Sequence, residues 1–528
     1  MHIRALFFVA ASLTACISSS ETSAQNAKQK RGGTAIFSLT ADPHAPNPNV
    51  SSNVPDRYVG CILYEGLIQL ASDYTVLPAL AKSWTLSPDG LSYAFELKKA
   101  EWHDGKPVTS EDVKYSILEV AAKYSGIFAP AGAAIESIDT PSPTQVIFKL
   151  KQPFGPFLLS LGCVQGAAIL PSHLFRGTDP LTNPTTTTKP IGTGAFKLAE
   201  WKRGDYFRMV RNEKYHVPDR PFFDELIGKV IPAAETRIQA LQAGEIDITQ
   251  NVASSALMSL KQDPKLKVLP GDSAPSTMYS FFNVEHKPLD DKRVRHALFM
   301  AIDRDYLLRN AFFGTGEVGT APFTPQIKWA VNPDIDYRKM YPFDASKANA
   351  ILDEAGVKRD ASGKRFSVKM LIYATQYPEL RQVSAAMKSM WQAIGVDVSI
   401  EALDNVTYTK RLQDGNFDIA FNGYTSYSDP ALGIARTFVT ASINKANGNS
   451  SRYSNPVVDE LFAKGERASR NEDRAVFYRQ VQAILADDLP SMSIQHYIGI
   501  NAMAKDLEDA TGKWQGSSGS FPEGWFNR

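Results

Sequence analysis

The sequence predicts an α/β protein in which mixed sheets are covered by helices. Three observations carry that expectation. The chain has 528 residues, more than one hydrophobic core normally serves, so two or three domains are expected. Several short runs alternate apolar and polar residues, the mark of strands with one buried and one wet face. From Tyr279 onward, such strands alternate with helical apolar stripes.

The clearest stretch is Leu77 to Ile117. Leu91, Tyr93, Phe95 and Leu97 alternate with Ser92, Glu96 and Lys98, which gives a strand. Trp84-Thr85-Leu86 is strand-like and Pro88-Asp89-Gly90 is turn chemistry, so the two runs form a hairpin. Asp104-Gly105 makes a second turn. Thr109 then caps a helix with Asp112 at its third position and Val113, Ile117 and Leu118 on its inner face.

Upstream, Thr34 to Leu39 is a short strand, and Asp42 to Asn49 is a loop rich in Pro and Asn. Tyr58 to Leu70 starts as a helix, ends it at Gly66 and passes into a strand. Downstream, Ser125 to Pro143 is rich in small residues and is expected as loop, with Thr144 to Leu150 a strand. Thr182 to Lys189, with four consecutive Thr, is expected as an exposed loop at a domain boundary.

Glu235 to Ala243 is a helix closed by Gly244, and Glu245 to Ile248 a strand. Val294, Leu298, Ala301 and Ile302 form one helical stripe, with Asp290 or Asp291 near its start. Asp344 to Gly356 is a second helix. Val383, Met387, Trp391 and Ile394 mark a third, stopped at Gly395. Strands follow at 396–400 and 417–421, the second preceded by a helix near 407–412. Two more helices, 457–465 and 473–486, precede Leu489-Pro490. The last stretch, 514–528, holds Phe521, Trp525 and Phe526 and is expected to dock. No internal repeat is seen.

Composition narrows the function classes. Hydrophobic residues make up 43% and charged residues 21%, ordinary for a globular protein. Lys and Arg number 57 against 56 Asp and Glu, a formal charge of +1. There is no basic stripe interleaved with aromatics, so no nucleic-acid partner is expected.

At the N-terminus, Arg4 precedes an apolar run from Ala5 to Ile17, too short to span a bilayer, and a small polar stretch to Ala24 follows. That is the layout of a secretory signal peptide over residues 1–24. Leu13-Thr14-Ala15-Cys16 offers the alternative of a lipid anchor at Cys16. Cys61 and Cys163 could pair in an oxidising compartment or stay as two buried thiols.

The fragments "PALAxSW", "S-x-DG-x-x-Y-x-F-x-L" and "W-H-DG-x-P-V-T-x-EDV-x-x-S" run in order from Leu77 to Ile117. With "RGGT" at Arg31, "YEGL" at Tyr64, "RNEKYH" at Arg211 and "ALQAGEIDI" at Ala240, they resemble the bacterial extracytoplasmic solute-binding proteins of family 5. These are the peptide, nickel and opine binders that serve ABC importers. The resemblance covers about Arg31 to His496.

What it implies is a two-lobed periplasmic-binding-protein fold with two interlobe crossings, near Ser280 and near Pro490. Residues 31–57, 190–279 and 491–528 would form lobe I, 58–189 an extra subdomain on it, and 280–490 lobe II. It also implies a non-enzymatic, monomeric periplasmic receptor with no cofactor. Such a receptor captures a small-molecule solute (an opine, sugar conjugate or peptide-like compound) and delivers it to an ABC permease at the inner membrane. The alternatives are a metal or metallophore receptor on the same scaffold and a secreted serine enzyme.

The catalytic signals are thin. H-E-x-x-H, G-x-x-x-x-G-K-[ST] and G-x-S-x-G are absent from the sequence. Gly192-Thr193-Gly194 lacks the third glycine of a dinucleotide fingerprint, because Lys197 stands there. Ser442-Ile443-Asn444-Lys445 matches S-x-x-K with no K-T-G partner. His103, beside Asp104, reads as a histidine in a tight turn, so no metal site is assigned.

A binding reading points to the strand-to-loop junction from Phe421 to Pro430, where open α/β sheets place ligands. Asn422, Tyr424, Thr425, Tyr427 and Asp429 are the candidates there, with Asn283, His44 and Arg436 added from their place in the family. In peptide-binding relatives this loop resembles G-W-x-x-D; its Asp pairs with the peptide ammonium, and in some an Arg on the preceding strand holds the carboxylate. Here Tyr424 fills the aromatic position, Tyr427 or Ser428 the acidic one, and Phe421 that of the Arg. The expected solute is therefore polyhydroxylated or conjugated rather than an ordinary free peptide.

The mature protein is expected to start near Gln25 and to be released when the outer envelope is opened. Intact mass of the purified protein checks this, and a diacylglyceryl group on Cys16 would contradict it.

Overall fold

Two mixed sheets, each the floor of one lobe, organise the chain. The computed structural model describes residues 30–72, 75–250, 252–271, 275–374, 377, 379–426, 429–445, 448–497, 499–513 and 519–528. The signal peptide, Cys16 and Tyr427 therefore lie outside the described residues.

The first sheet has seven strands in the order Leu266–Pro270, Ile500–Ala504, Ile248–Thr249, Thr34–Leu39, Glu225–Val230, Tyr206–Arg211 and Phe196–Lys202. The second has six: Glu317–Val318, Ser491–Tyr497, Ser276–Phe282, Ile419–Thr425, Phe366–Ile372 and Val396–Ala402. In each, parallel and antiparallel pairs mix; Thr34–Leu39 runs parallel to Glu225–Val230, which is antiparallel to Tyr206–Arg211.

The extra subdomain is a four-stranded antiparallel sheet, ordered Ala81–Leu86, Ser92–Leu97, Gln145–Leu150 and Ile135–Ser142. The alternation read from Leu91 to Leu97 is realised there: Tyr93, Phe95 and Leu97 are buried, and Trp84 lies opposite Phe95. Gly90 closes the hairpin at φ 73°, a conformation that costs a residue with a Cβ. The capped helix also forms. The Thr109 N–H donates to Asp112 Oδ2 at 2.9 Å, and the other oxygen of Asp112 accepts from the Ser172 N–H.

The chain passes between lobes after Pro270 and returns after Tyr497. The outgoing and returning strands are neighbours in both sheets: Leu266–Pro270 pairs with Ile500–Ala504, and Ser276–Phe282 with Ser491–Tyr497. The sequence reading divided Ser276–Phe282 at Ser280 and gave Ser491–Tyr497 to lobe I; both strands lie wholly in the second sheet. Where the ribbon passes from lobe to lobe, the Gly271 N–H donates to the Gly499 carbonyl at 2.6 Å. A Cβ on Gly271 would come within 2.8 Å of that same oxygen, so close approach of the two crossings requires glycine.

Helices cover the sheets where periodicity placed them. In the second lobe Val294, Leu298 and Ile302 pack with Val383, Met387 and Trp391 in one core. The Trp391 indole N–H donates to the Leu298 carbonyl at 2.8 Å. The C-terminal stretch docks as expected, with Phe521, Trp525 and Phe526 buried.

Two loop expectations fail. Ser125 to Pro143 contains the helix Ala129–Ala134 and the whole strand Ile135–Ser142; small residues there allow tight packing, with Gly132 against Ala122. Residues 182–189 contain the helix Pro184–Thr187, capped by Asn183, with Thr185 and Thr186 buried. Threonine composition suggested solvent, but Thr186 accepts a hydrogen bond from Asn47.

Cys61 and Cys163 form a disulfide with their Cα atoms 5.9 Å apart, closing a sequence separation of 102 residues. It ties the helix Val54–Leu63 to the turn Cys163–Gln165. Replacing both cysteines by Ser should lower the unfolding free energy by about 4 kcal/mol, because so long a loop is restrained in the unfolded chain. Denaturant titration checks this, and an unchanged midpoint would contradict it.

Candidate functional site

The strand Ile419–Thr425 sits between Ser276–Phe282 and Phe366–Ile372. Ser276 pairs with Thr425 and Phe282 with Ile419, so the C-terminal end of this strand faces the crossings. Its continuation turns at Asp429 into the helical turns Pro430–Ile434 and Ala435–Thr437. These carry Leu432 and Arg436 to the edge of the second lobe.

Opposite lies the loop that follows the first strand of lobe I. Buried asparagines fix its path. Asn49 donates to the Ala168 carbonyl and accepts from the Ala168 N–H, both at 2.8 Å, and Asn47 donates to Thr186. Asp56 accepts from the His44 and Ala45 N–H groups and from the Ser51 hydroxyl. A three-residue polar run, Ser51-Ser52-Asn53, then leads into the helix Val54–Leu63, and Arg57 lies in its first turns.

Between these parts lies a cavity of about 510 Å³. Lobe I contributes Pro48, Val50, Ser51, Ser52 and Arg57; the subdomain contributes Tyr124, Ser125, Gly126, Ile127, Pro130, Ser160 and Gln165; lobe II contributes Gly423, Tyr424, Ala431, Leu432 and Arg436. A second and larger cavity of about 990 Å³ lies between the subdomain and lobe II, with Trp84, Tyr93, Leu158, Trp329 and Arg474 among its walls. Both volumes suit a small organic molecule.

The family model described as bacterial extracellular solute-binding proteins, family 5 Middle, matches residues 75–446. The chain belongs to this family. It is 28% identical to the oligopeptide-binding protein AppA of Bacillus subtilis, over 96% of this chain and 95% of that one. It is 25% identical to the dipeptide-binding protein of Escherichia coli, over 90% and 91%. Among solved structures, NikZ of Campylobacter jejuni in complex with Ni(L-His) superposes with a TM-score of 0.78 at 25% identity, covering 93% of this chain and 99% of that one. Family 5 proteins are the substrate-binding receptors of ABC importers, and this chain is such a receptor.

The second lobe of this family 5 receptor places the sequence-predicted residues unevenly. Arg436 is half-buried in the cavity wall, its guanidinium 5.4 Å from the centre of the Tyr424 ring. Tyr424 reaches the same wall but is only 4% exposed. Its ring packs against Tyr279 and Phe281, and its hydroxyl donates to the Gly448 carbonyl at 3.0 Å. The ring at the aromatic position of the loop is thus packed into the lobe rather than held open to the cavity. Asn422 and its neighbour Tyr373 line a separate small pocket of about 50 Å³. Thr425 closes the strand against Ser276, hydroxyl to hydroxyl at 3.1 Å. Phe421 is fully buried.

Three expected contacts lie elsewhere. Asp429 is fully buried and makes a bidentate pair with Arg474, both oxygens at 2.6 Å. Burial opposes the charge on Arg474, but the field and hydrogen bonds of Asp429 hold its pKa above the ordinary value. Asn283 is at the opposite end of its antiparallel strand, about 20 Å from the cavity by strand rise. There it donates to the Gly415 and Phe417 carbonyls. His44 is exposed and is not among the residues walling either interlobe cavity.

Sequence reasoning missed Arg57, Ser51, Ser52, Tyr124, Ser125 and Gln165. The one available signal was the polar run Ser51-Ser52-Asn53 between a fixed loop and a helix.

Asp429→Asn should destabilise the protein by about 3–5 kcal/mol, since it leaves a buried guanidinium without its counter-charge. Thermal melts check this, and an unchanged melting temperature would contradict the structural role assigned to the pair.

Proposed function

We propose that this receptor captures its solute in the 510 Å³ interlobe cavity, that the lobes close on it by bending at the two crossings, and that the closed form is delivered to a permease. The carrying observation is that walls from lobe I, the subdomain and lobe II all meet in that one cavity. A ligand there gains contacts from both lobes only when they are together, which is the differential affinity that shifts a two-state equilibrium. The crossing ribbon supports this, because the few residues between adjacent strands can absorb the rotation.

The solute in this reading is a polyhydroxylated or conjugated small molecule, such as an opine, a sugar conjugate or a modified peptide. An ordinary free peptide needs partners for an ammonium and a carboxylate. Phe421 is buried at the position that the resemblance gives to the carboxylate-binding Arg, and Asp429 is already paired with Arg474. Hydroxyls of Ser51, Ser52, Ser125 and Ser160 and the amide of Gln165 in the wall suit hydroxyl-bearing ligands.

The reading also holds the protein to be a monomer of the periplasm, without cofactor or enzymatic activity. Among the described residues, no helix is long and apolar enough to cross a membrane. The S-x-x-K at Ser442 falls in a surface turn with Lys445 exposed, which does not favour the serine-enzyme alternative. A metallophore receptor would present His44 or another histidine to its solute; among the described residues lining the cavity there is no histidine, which does not favour that alternative.

Protein isolated with its natural solute should show a smaller radius of gyration by small-angle scattering than the same protein stripped by unfolding and refolding. Circular dichroism should be unchanged between the two. An identical radius of gyration would overturn the closure.

A further inference from the structure

We infer that the larger interlobe cavity is a chamber for a flat, uncharged aromatic group, and that the solute is a hydroxylated compound conjugated to such a group. This deepens the reading above and rests on the smaller cavity holding the hydroxylated part.

The chamber, of about 990 Å³, is lined from two sides by large apolar side chains that folding leaves partly uncovered. On the subdomain side, the strand Ala81–Leu86 is the edge of its sheet. Period two puts Trp84 and Leu86 on one face, opposite Phe95 and Tyr93 in the register. Phe95 and Tyr93 are buried, but Trp84 is half-buried and Leu86 is 40% exposed. The apolar face of the subdomain thus continues past its cover into the cleft, joined there by the half-buried Leu158 and Leu159. In the second lobe, Trp329 is half-buried as well. The Arg474 guanidinium lies 4.8 Å from its ring centre, and Tyr478 meets it edge-on at 5.8 Å. Those contacts fix the ring and leave its uncovered part to the chamber.

The chemistry of the wall selects an uncharged ring. Arg474 is already paired with Asp429 through two bonds of 2.6 Å, so that pair presents no net charge. Among the described lining residues, the other charged side chain, Lys328, is exposed to solvent. Water against so much apolar surface is displaced favourably by an apolar group. Two tryptophans favour a ring over a chain, because stacked and edge-on aromatic contacts add to the burial of area. Trp84 and Trp329 belong to opposite sides of the cleft, so one ring touches both only when the lobes are together.

The two cavities adjoin. Leu158 and Leu159 wall the larger one, and the next residue, Ser160, walls the smaller. From the second lobe, Leu432 walls the smaller cavity and packs on the same subdomain cluster as Trp84, Leu158 and Leu159. A solute that passes Leu432 places its hydroxylated part among Ser51, Ser52 and Gln165 and its aromatic part beside the tryptophans.

The test uses the full mature chain, stripped of solute by unfolding and refolding, with four probes: 2-naphthol, 2-naphthyl β-glucoside, octyl β-glucoside and methyl β-glucoside. Calorimetry should find binding of 2-naphthol, at least tenfold tighter binding of its glucoside, and weaker binding of both alkyl glucosides than of the naphthyl one. Trp84→Leu and Trp329→Leu keep the wall apolar but remove its rings. Each should weaken both naphthyl probes by about tenfold and leave octyl β-glucoside unmoved. Thermal melts check that the variants fold, and Trp84, on an edge strand, has the less packing to lose. Gly126→Trp fills the smaller cavity, since a Cβ there meets nothing within 4 Å. It should reduce the naphthyl glucoside to the affinity of 2-naphthol.

If neither naphthyl probe binds at millimolar concentration, or if octyl β-glucoside binds more tightly than the naphthyl glucoside, the aromatic chamber is wrong. If the naphthyl glucoside binds, is lost entirely in Gly126→Trp and is unmoved by both Leu variants, the smaller cavity stands and the chamber falls. If 2-naphthol binds through the tryptophans while its glucoside gains nothing and Gly126→Trp has no effect, the chamber stands and capture in the smaller cavity falls.

Discussion

The ion pair between Asp429 and Arg474 is the constraint on which the second lobe's binding edge depends. Both groups are almost wholly out of water, at 0% and 1% exposure. Two buried charges are tolerated only when their geometry is good and their remaining donors are met. Here the fork is bidentate, Arg474 also donates to the Gly465 carbonyl and the Tyr478 hydroxyl, and its plane lies 4.8 Å from the centre of the Trp329 ring. The pair anchors the loop after the strand Ile419–Thr425 onto the helix Asn471–Asp488. From that anchor the chain presents Leu432 and Arg436 to the smaller cavity, while Arg474 itself walls the larger one. A residue that looks like a ligand contact in the sequence is thus the fixture that aims the others.

That case marks the limit of what the sequence makes legible. Strands and helices follow from local periodicity, and the hairpin at Gly90, the Thr109–Asp112 cap and the Trp391 helix could all be placed from residues a few positions apart. Whether a polar residue meets solute or protein depends on what folding brings from far away. Asp429 finds its partner 45 positions downstream, and Asn283 finds carbonyls more than 130 positions away. No period or spacing encodes such meetings. Arg57 was overlooked for the converse reason: a lone arginine in a helix start looks like solvated surface until the opposite lobe is drawn across it. Small-residue runs misled similarly, because Ala and Gly between 125 and 143 serve tight packing as readily as flexibility.

His496 illustrates the same distance dependence near the hinge. It lies next to the second crossing and is 1% exposed. One ring nitrogen meets the Thr277 hydroxyl at 2.9 Å and the other accepts from the Thr320 N–H at 3.3 Å. Burial without a counter-charge depresses its pKa to about 3. The ring is therefore neutral in the folded protein over the whole physiological range, and it acts as a fixed polar cross-brace between the outgoing and returning strands. Its effect on stability has a definite sign. The unfolded chain takes up a proton below the ordinary histidine pKa while the folded chain does not, so stability falls as pH drops from about 6.5 toward 3.

Ion pairs on each side of the cleft stabilise the lobe they belong to. Among the described residues, ion pairs close within the first lobe and its subdomain, as Arg220 with Glu523, or within the second lobe, as Arg474 with Asp429. Direct polar contacts across the divide include the neutral bonds from the Gly155 N–H to the Glu466 carbonyl and between the hydroxyls of Ser254 and Thr315. Neutral contacts of this kind are worth about 1 kcal/mol each once water competes for them. Strong ion pairs across the cleft would lock the lobes together with or without a solute. Weak ones leave the two arrangements close in free energy, within reach of the ~5.5 kcal/mol that carries a mostly open population to a mostly closed one. In the proposed closure, neutral contacts such as these leave the solute room to set the balance between the two arrangements.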